Sequence, residues 1–301
     1  MSLVPLCGSW ENSNYFFAFS KLFSSMKVAN TDWNQVWADR VRANRAVPGF
    51  RTGKDLWEEK KVAAEYRVPT DRVAATLARL PLMPRLSVLD IGAGPGTLAL
   101  PLAREVQSVT AVEPAAGMMS VLEEKARVRD CRNIRAVQKR WEAVDPACDL
   151  EGPYDLVVAS FSLAMENLAA SLEKMDAVAS GSIHLFWFAD LPGWERHYLE
   201  IWPPLHGAPY SPVPKADVVF NLLWQMEYHP NLVQMPLIQE EYFRDLEEAV
   251  AHYAPKFGVA GAGEEEVVRE ALGRWLVREG DGLVLRERSR AAHIWWEKEG
   301  D

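Results

Sequence analysis

Cysteine is nearly missing. Cys7, Cys131 and Cys148 are three in 301 residues, odd in number, far apart and without a CxxC pair. That excludes a disulfide framework and a thiolate zinc site, and it fits a reducing, cytoplasmic setting. Long apolar runs are missing too: the longest, around residues 183–189, is strand-sized, well short of the roughly 18 residues of a membrane helix. No membrane partner is expected. The 6 histidines and the carboxylates show no metal-ligand spacing, so no metal is expected either. Basic charge is in deficit, 33 Lys and Arg against 42 Asp and Glu, and the net −9 repels phosphate backbones, so nucleic acid is not an expected partner. There is no internal repeat or low-complexity run. Against these absences stands a surplus of tryptophan, 12 residues, wide rigid surface for a core, a pocket wall or a homodimer interface.

Hydrophobic residues at 49% and charged residues at 25% are those of an ordinary globular chain with a sizeable core. Residues 1–30 are aromatic at Tyr15, Phe16, Phe17 and Phe19 but lack the basic segment and small-residue cleavage site of a signal peptide. They read as a disordered or dispensable extension, with an ordinary start at Met26. Residues 31–84 form a helical cap: apolar positions at spacings of three and four run over residues 32–47, and further helices are expected at 55–66 and 70–80. Residues 85–190 alternate, with strands at 87–91, 108–112, 134–138, 155–159 and 182–188 separated by helices at 97–105, 117–127 and 168–178. Apolar strands alternating with helices indicate a parallel sheet covered on both faces, an α/β fold. Residues 191–230 carry Pro203, Pro204, Pro209, Pro212 and Pro214 with Trp194, Tyr198, Trp202 and Tyr210. This stretch is too proline-rich for continuous helix and reads as a lid or pocket wall. Residues 231–301 complete the sheet, with a strand at 232–238 interrupted by Pro236, helices at 240–252 and 264–278, and two closing strand pieces at 282–288 and 289–296.

The informative segment is Val88-Leu89-Asp90-Ile91-Gly92-Ala93-Gly94-Pro95-Gly96-Thr97, a buried strand passing through three glycines toward a helix. Glycines there let backbone approach a ligand. A dinucleotide fingerprint counted from Gly92 needs its third glycine at position 97, where Thr97 stands, so a nicotinamide enzyme is disfavoured. Asp90, just ahead of the loop, suits an ammonium group and would repel a pyrophosphate. Glu113 ends the next strand, where a carboxylate can accept both hydroxyls of a ribose. Loop and carboxylate together indicate a nucleoside ligand.

These residues resemble the class I S-adenosylmethionine-dependent methyltransferases. Val88–Gly96 is similar to the first motif of that family, Val112-Glu113-Pro114 with Gly117-Met118-Met119 to its second-strand acidic motif, and Tyr154–Ala159 to its fourth-strand motif. The resemblance implies a Rossmann-like seven-stranded mixed sheet with flanking helices, its last strand antiparallel, and S-adenosylmethionine as cofactor. It implies that Gly92, Ala93, Gly94 and Gly96 pass beneath the methionine part, that Asp90 anchors that end directly or through water, and that Glu113 grips the ribose. Pro114 and Met118 would flank the adenine. Arg140 and Trp141 stand where many members carry an acidic residue; Arg140 cannot accept a hydrogen bond, so Trp141 is expected to offer a ring face or backbone contact and Glu142 to replace the acceptor. Ser160 and Phe161 would face the methyl, and Trp57 and Tyr66 of the upstream helix would fold over the cofactor.

The expected reaction is methyl transfer to a small apolar or aromatic acceptor by in-line displacement, with positioning and exclusion of water supplying much of the acceleration. His197, His206, Tyr210 and the more buried His184 are the candidate bases, and the sequence selects none of them. The stretch Ala159-Ser160-Phe161-Ser162-Leu163 lacks the Asn/Asp-Pro-Pro-aromatic tetrad of enzymes that methylate bases or glutamine. The alternative is a non-catalytic S-adenosylmethionine-binding regulatory or partner protein, which would close the fourth-strand end of the pocket.

Overall fold

The computed structural model describes residues 31–48, 58–60, 64, 70–259 and 261–298. Residues 1–30 with the expected start at Met26, most of the helix expected at 55–66, and both Trp57 and Tyr66 lie outside them. The chain divides into two units, Met1–Asp32 and Trp33–Asp301, and the description below concerns the second.

Helices α1 (Trp33–Arg45) and α2 (Thr70–Leu77) precede a sheet built from β1 (Ser87–Ile91), β2 (Ser108–Val112), β3 (Ile134–Val137), β4 (Tyr154–Ser160) and β5 (Ala179–Phe188), all parallel. Between these strands run α3 (Ala99–Leu102), α4 (Ala116–Val128), the short α5 (Pro146–Asp149) and α6 (Leu168–Val178). There follow α7 (Gly193–His206), α8 (Ala216–Gln225), β6 (Asn231–Phe243), α9 (Leu246–Tyr253), α10 (Ala262–Trp275), β7 (Val277–Glu279) and β8 (Gly282–Glu297). The sheet order is β3-β2-β1-β4-β5-β8-β6, a path of seven strands, with the three-residue β7 paired to β8 as an eighth. The last strand, β8, runs antiparallel to both β5 and β6. The order reverses between β1 and β4, and ligands of open α/β sheets bind at the carboxyl ends of the strands beside such a switch point.

Alternation along the strands divides the core. Leu89, Ile91, Val157, Ala159, Ile183 and Leu185 face one cluster with Trp37 of α1 and Leu222 of α8; Val88, Leu156, Val158 and Phe186 face another with Leu98 and Leu102. Both faces of the parallel sheet are therefore buried, which is why these strands read as apolar runs. Among the described residues no helix is long and apolar enough to cross a membrane.

Five expected elements differ. The helix expected at 97–105 shrinks to α3: Pro101 has no N–H for the Thr97 carbonyl, and past Leu102 the bonds of Arg104 to Pro101 and of Glu105 to Leu102 tighten to three-residue turns. The segment expected to be irregular at 194–206 is helix α7, with Pro203 and Pro204 in its last turn. Burial of Ile201 and Trp202 compensates for the missing donors there, and Gly207, at φ 64°, ends the helix by donating to the Pro203 carbonyl. Pro236 does not interrupt β6, since β6 is the edge strand and need not donate outward. Strand rather than helix continues through Phe243, held by Glu240–Arg286 ion pairing opposite β8, and helix begins only after Asp245, whose side chain accepts from the Glu248 N–H at 2.8 Å. The two closing pieces are one strand, β8, because it pairs with β6 along most of its length and with β5 at its end.

Candidate active site

One cavity of about 780 Å³ opens at the carboxyl ends of β1, β2, β4 and β5, within the range of about 300–1,000 Å³ typical of small-molecule sites. Eleven of the residues singled out from sequence line it: Asp90, Gly92, Ala93, Gly94, Glu113, Pro114, Met118, Arg140, Trp141, Ser160 and Phe161. Gly96 does not. A Cβ there would meet Leu100 at 2.9 Å and Leu122 at 3.2 Å, so this glycine serves helix packing.

Glu113 ties the second strand to the glycine loop. Its Oε2 accepts from the Gly94 N–H and its Oε1 from the Ala115 N–H, both at 2.9 Å, the latter at the start of α4. Burial raises its pKa, partly offset by those two donors. Asp90, 2% exposed, has an Oδ2 with no hydrogen-bond partner among the described residues. Burial first and the nearby Glu113 carboxylate second push its pKa up to about 7, against the N–H of Ala99, which favours the charged form. An orphaned carboxylate oxygen on the wall of a cavity is prepared for a donor or cation that the protein itself does not provide.

The two half-buried glycines of the loop, Gly92 and Gly94, serve different ends. At Gly92 (φ +74°) a Cβ would lie 2.2 Å from the Ser162 Cβ, whose Oγ donates to the Ile91 carbonyl at 2.6 Å and locks the end of β1 to the end of β4. At Gly94 (φ +55°) a Cβ would meet no heavy atom of the described residues within 4 Å. Gly92→Ala is therefore expected to cost at least about 3 kcal/mol by clash and strain and to lower the melting temperature by roughly 6–12 °C. Gly94→Ala is expected to cost about 1–2 kcal/mol yet to fill the cradle, weakening cofactor binding more than tenfold. Thermal melts and calorimetry on both variants separate the two effects; equal loss of stability would contradict the assignment.

Trp141 is a wall residue through its ring and backbone. Its indole N–H donates to the Ser171 carbonyl at 3.1 Å, and Lys174 Nζ bonds its carbonyl at 3.0 Å. Exposed Glu142 also reaches the cavity. Phe161, in a left-handed conformation at φ 55°, donates its N–H to the Phe186 carbonyl and packs its ring 5.0 Å from that of Phe188. At the β4 end Ser160, Phe161 and Ser162 line the cavity, where a non-catalytic binder is expected to be closed.

None of the candidate bases lines the cavity. His197 pairs Nδ1 with Glu287 at 2.9 Å and stacks on Trp275; His206 bonds the Phe257 carbonyl; the Tyr210 hydroxyl receives the Asn44 amide. His184 is buried against His293, Nδ1 to Nε2 at 2.9 Å, and burial lowers its pKa to about 3. Of the aromatic residues expected in the lid, only Trp194 reaches the cavity; Tyr198, Trp202 and Tyr210 pack with Phe257 in a third core cluster. Sequence reasoning missed Trp37, Trp187, Phe188 and Arg72. Trp187-Phe188 closes β5 as Ser160-Phe161 closes β4, a position that could have flagged it; Trp37 and Arg72 sit on helices with no local signal. Trp37 and Trp187 commit their indole N–H groups to the carbonyls of Met165 and Pro214, each at 2.7 Å, and so offer only ring surface.

Residues 88–181 match the family model described as a methyltransferase domain. An uncharacterized protein of Haemophilus influenzae is 26% identical over 223 residues, 70% of this chain and 75% of that one. Among solved structures, the YcgJ protein of Bacillus subtilis has a TM-score of 0.54 at 14% identity, covering 77% of this chain and 99% of that chain. A protein of Bacillus halodurans has a TM-score of 0.52, also at 14% identity, covering 76% and 100%. Both share the fold. Switch-point sheet and glycine loop agree with the matched segment: residues 88–181 are similar to a methyltransferase domain, on a sheet shared with those solved structures.

Proposed function

We propose that the cavity holds S-adenosylmethionine across the ends of β2 and β1 and delivers its methyl, beside β4, to a small apolar or aromatic acceptor. The observation that carries this reading is the orphaned Oδ2 of Asp90 on the same wall as the open Gly94 cradle and the Glu113 carboxylate. Each group fits its share of the ligand. Glu113 retains a second lone pair on each oxygen for ribose hydroxyls, Pro114 and Met118 give apolar surface beside the adenine, and Asp90 opposes the cationic methionine end. When bound, S-adenosylmethionine supplies an electrophilic methyl carbon whose bond to sulfur breaks with both electrons staying on sulfur.

The acceptor end is walled by Trp37, Phe161, Trp187, Phe188 and Trp194. Rings there exclude water and present apolar area, which suits an aromatic or aliphatic acceptor. Among the described residues the wall carries no His, Lys, Tyr or Cys, so alignment of the acceptor lone pair behind the methyl carbon supplies the acceleration. A screen of acceptors for S-adenosylhomocysteine release tests this. Turnover is expected with phenolic, heteroaromatic or aliphatic nucleophiles and not with sugar phosphates or oligonucleotides; turnover confined to the last two would overturn the reading.

A further inference from the structure

We infer that Arg72 is the specificity-determining residue of the acceptor end and that the acceptor is an aromatic acid, its ring held by Phe161, Phe188 and Trp194 and its carboxylate by the Arg72 guanidinium. This rests on the methyltransferase site proposed above. Arg72 projects from α2, half-buried, with its guanidinium carbon 4.7 Å from the centre of the Phe161 ring. Among the described residues that guanidinium has no carboxylate or carbonyl partner. Arg45, on the same wall, is engaged otherwise: it donates to the Ala164 carbonyl at 2.6 Å and pairs with Glu166 at 3.6 Å.

An arginine stacked on a ring keeps the edge of its planar fork free, and that edge matches a carboxylate with two parallel N–H donors. A partly desolvated cation without a partner is costly unless a ligand brings the anion. The position in the sheet assigns the anion to the acceptor. Phe161 follows β4, and Phe188 ends β5, whereas Glu113 follows β2. Strands lie about 4.8 Å apart, so Arg72 and Phe161 stand about 10 Å from the ribose end, toward β5 and beyond the glycine loop. The Phe161–Phe188–Trp194 wall, with ring centres 5.0 and 6.1 Å apart, is wide enough to take a flat ring beside the guanidinium.

The test is calorimetric titration of the full chain, with and without saturating S-adenosylhomocysteine, using 2-naphthoate and its neutral counterpart 2-naphthamide. The naphthoate is expected to bind at least about tenfold more tightly. Arg72→Gln should abolish that preference while leaving naphthamide and S-adenosylhomocysteine affinities within about twofold, and Arg72→Lys should keep part of it. Equal binding of the two probes by the natural chain, or a preference that survives Arg72→Gln, would overturn the inference. So would a tenfold loss of S-adenosylhomocysteine affinity in Arg72→Gln with the naphthoate preference intact, which would assign the guanidinium to the carboxylate of the cofactor. Failure of the natural chain to bind S-adenosylhomocysteine would count against the cofactor site alone, because the probe comparison without it still decides the role of Arg72.

Discussion

Glu113→Ala is expected to weaken S-adenosylmethionine binding by at least about a hundredfold, the loss of two charge-assisted hydrogen bonds of about 1.5 kcal/mol or more each. The carboxylate has a double duty in the proposed site: its two oxygens already accept from the N–H groups of Gly94 and Ala115, so it would shape the loop beneath the ligand as well as face the ribose. Glu113→Gln is not a mild substitute. The amide can accept from one of those N–H groups, but its NH2 then opposes the other, donor against donor. Both variants should therefore lose binding, whereas the melting temperature falls only by the few degrees that two under-satisfied backbone donors cost. Binding within threefold of the natural chain in Glu113→Ala would place the ribose elsewhere.

Asp90→Asn should trade binding for stability. The Asp90 carboxyl has an ordinary pKa of 3.8 and is raised to about 7 by burial and by Glu113. Between those values the unfolded chain gives up this proton before the folded one does. Stability therefore falls as the pH rises from about 4 to about 7, and the loss, on the order of 4 kcal/mol at most, is complete above that. An asparagine is neutral throughout, and its carbonyl oxygen can still accept from the Ala99 N–H. The variant is expected to melt several degrees higher at pH 8 and at an unchanged temperature near pH 4. Its affinity for S-adenosylmethionine should fall more than tenfold, because an amide NH2 then faces a cation. In the natural chain affinity should weaken about tenfold from pH 8 to pH 6, as a proton competes with the cationic ligand for Asp90, and this slope should vanish in the variant. A less stable Asp90→Asn at pH 8, or a pH slope that persists in it, would contradict the assignment.

The proposed cofactor half of the site is legible in the sequence because it is local. Asp90, the glycine loop and Glu113 lie within two adjacent strands and one turn, so their order along the chain is also their order in space. The proposed acceptor half is assembled from Trp37 on α1, Arg72 on α2, Phe161 after β4, Phe188 at the end of β5, and Trp194 on α7, which line one cavity though no spacing in the chain joins them. Composition drew His197, His206 and the lid aromatics from residues 194–210, but they have partners far along the chain: Glu287 and Trp275 for His197, Phe257 for His206 and Tyr198, and Asn44 for Tyr210. The same nonlocality hid helix α7. Proline content counts missing donors, and the burial of Ile201 and Trp202 that offsets them depends on α9 and α10, which sequence periodicity at 194–206 does not contain.

Calorimetric titration of the full chain with S-adenosylmethionine, run beside NADH, is the most direct measurement. S-adenosylmethionine should bind with one molecule per chain and NADH should give no heat of binding. Binding of NADH, or of neither ligand, would contradict a cofactor site built on Asp90, Gly94 and Glu113.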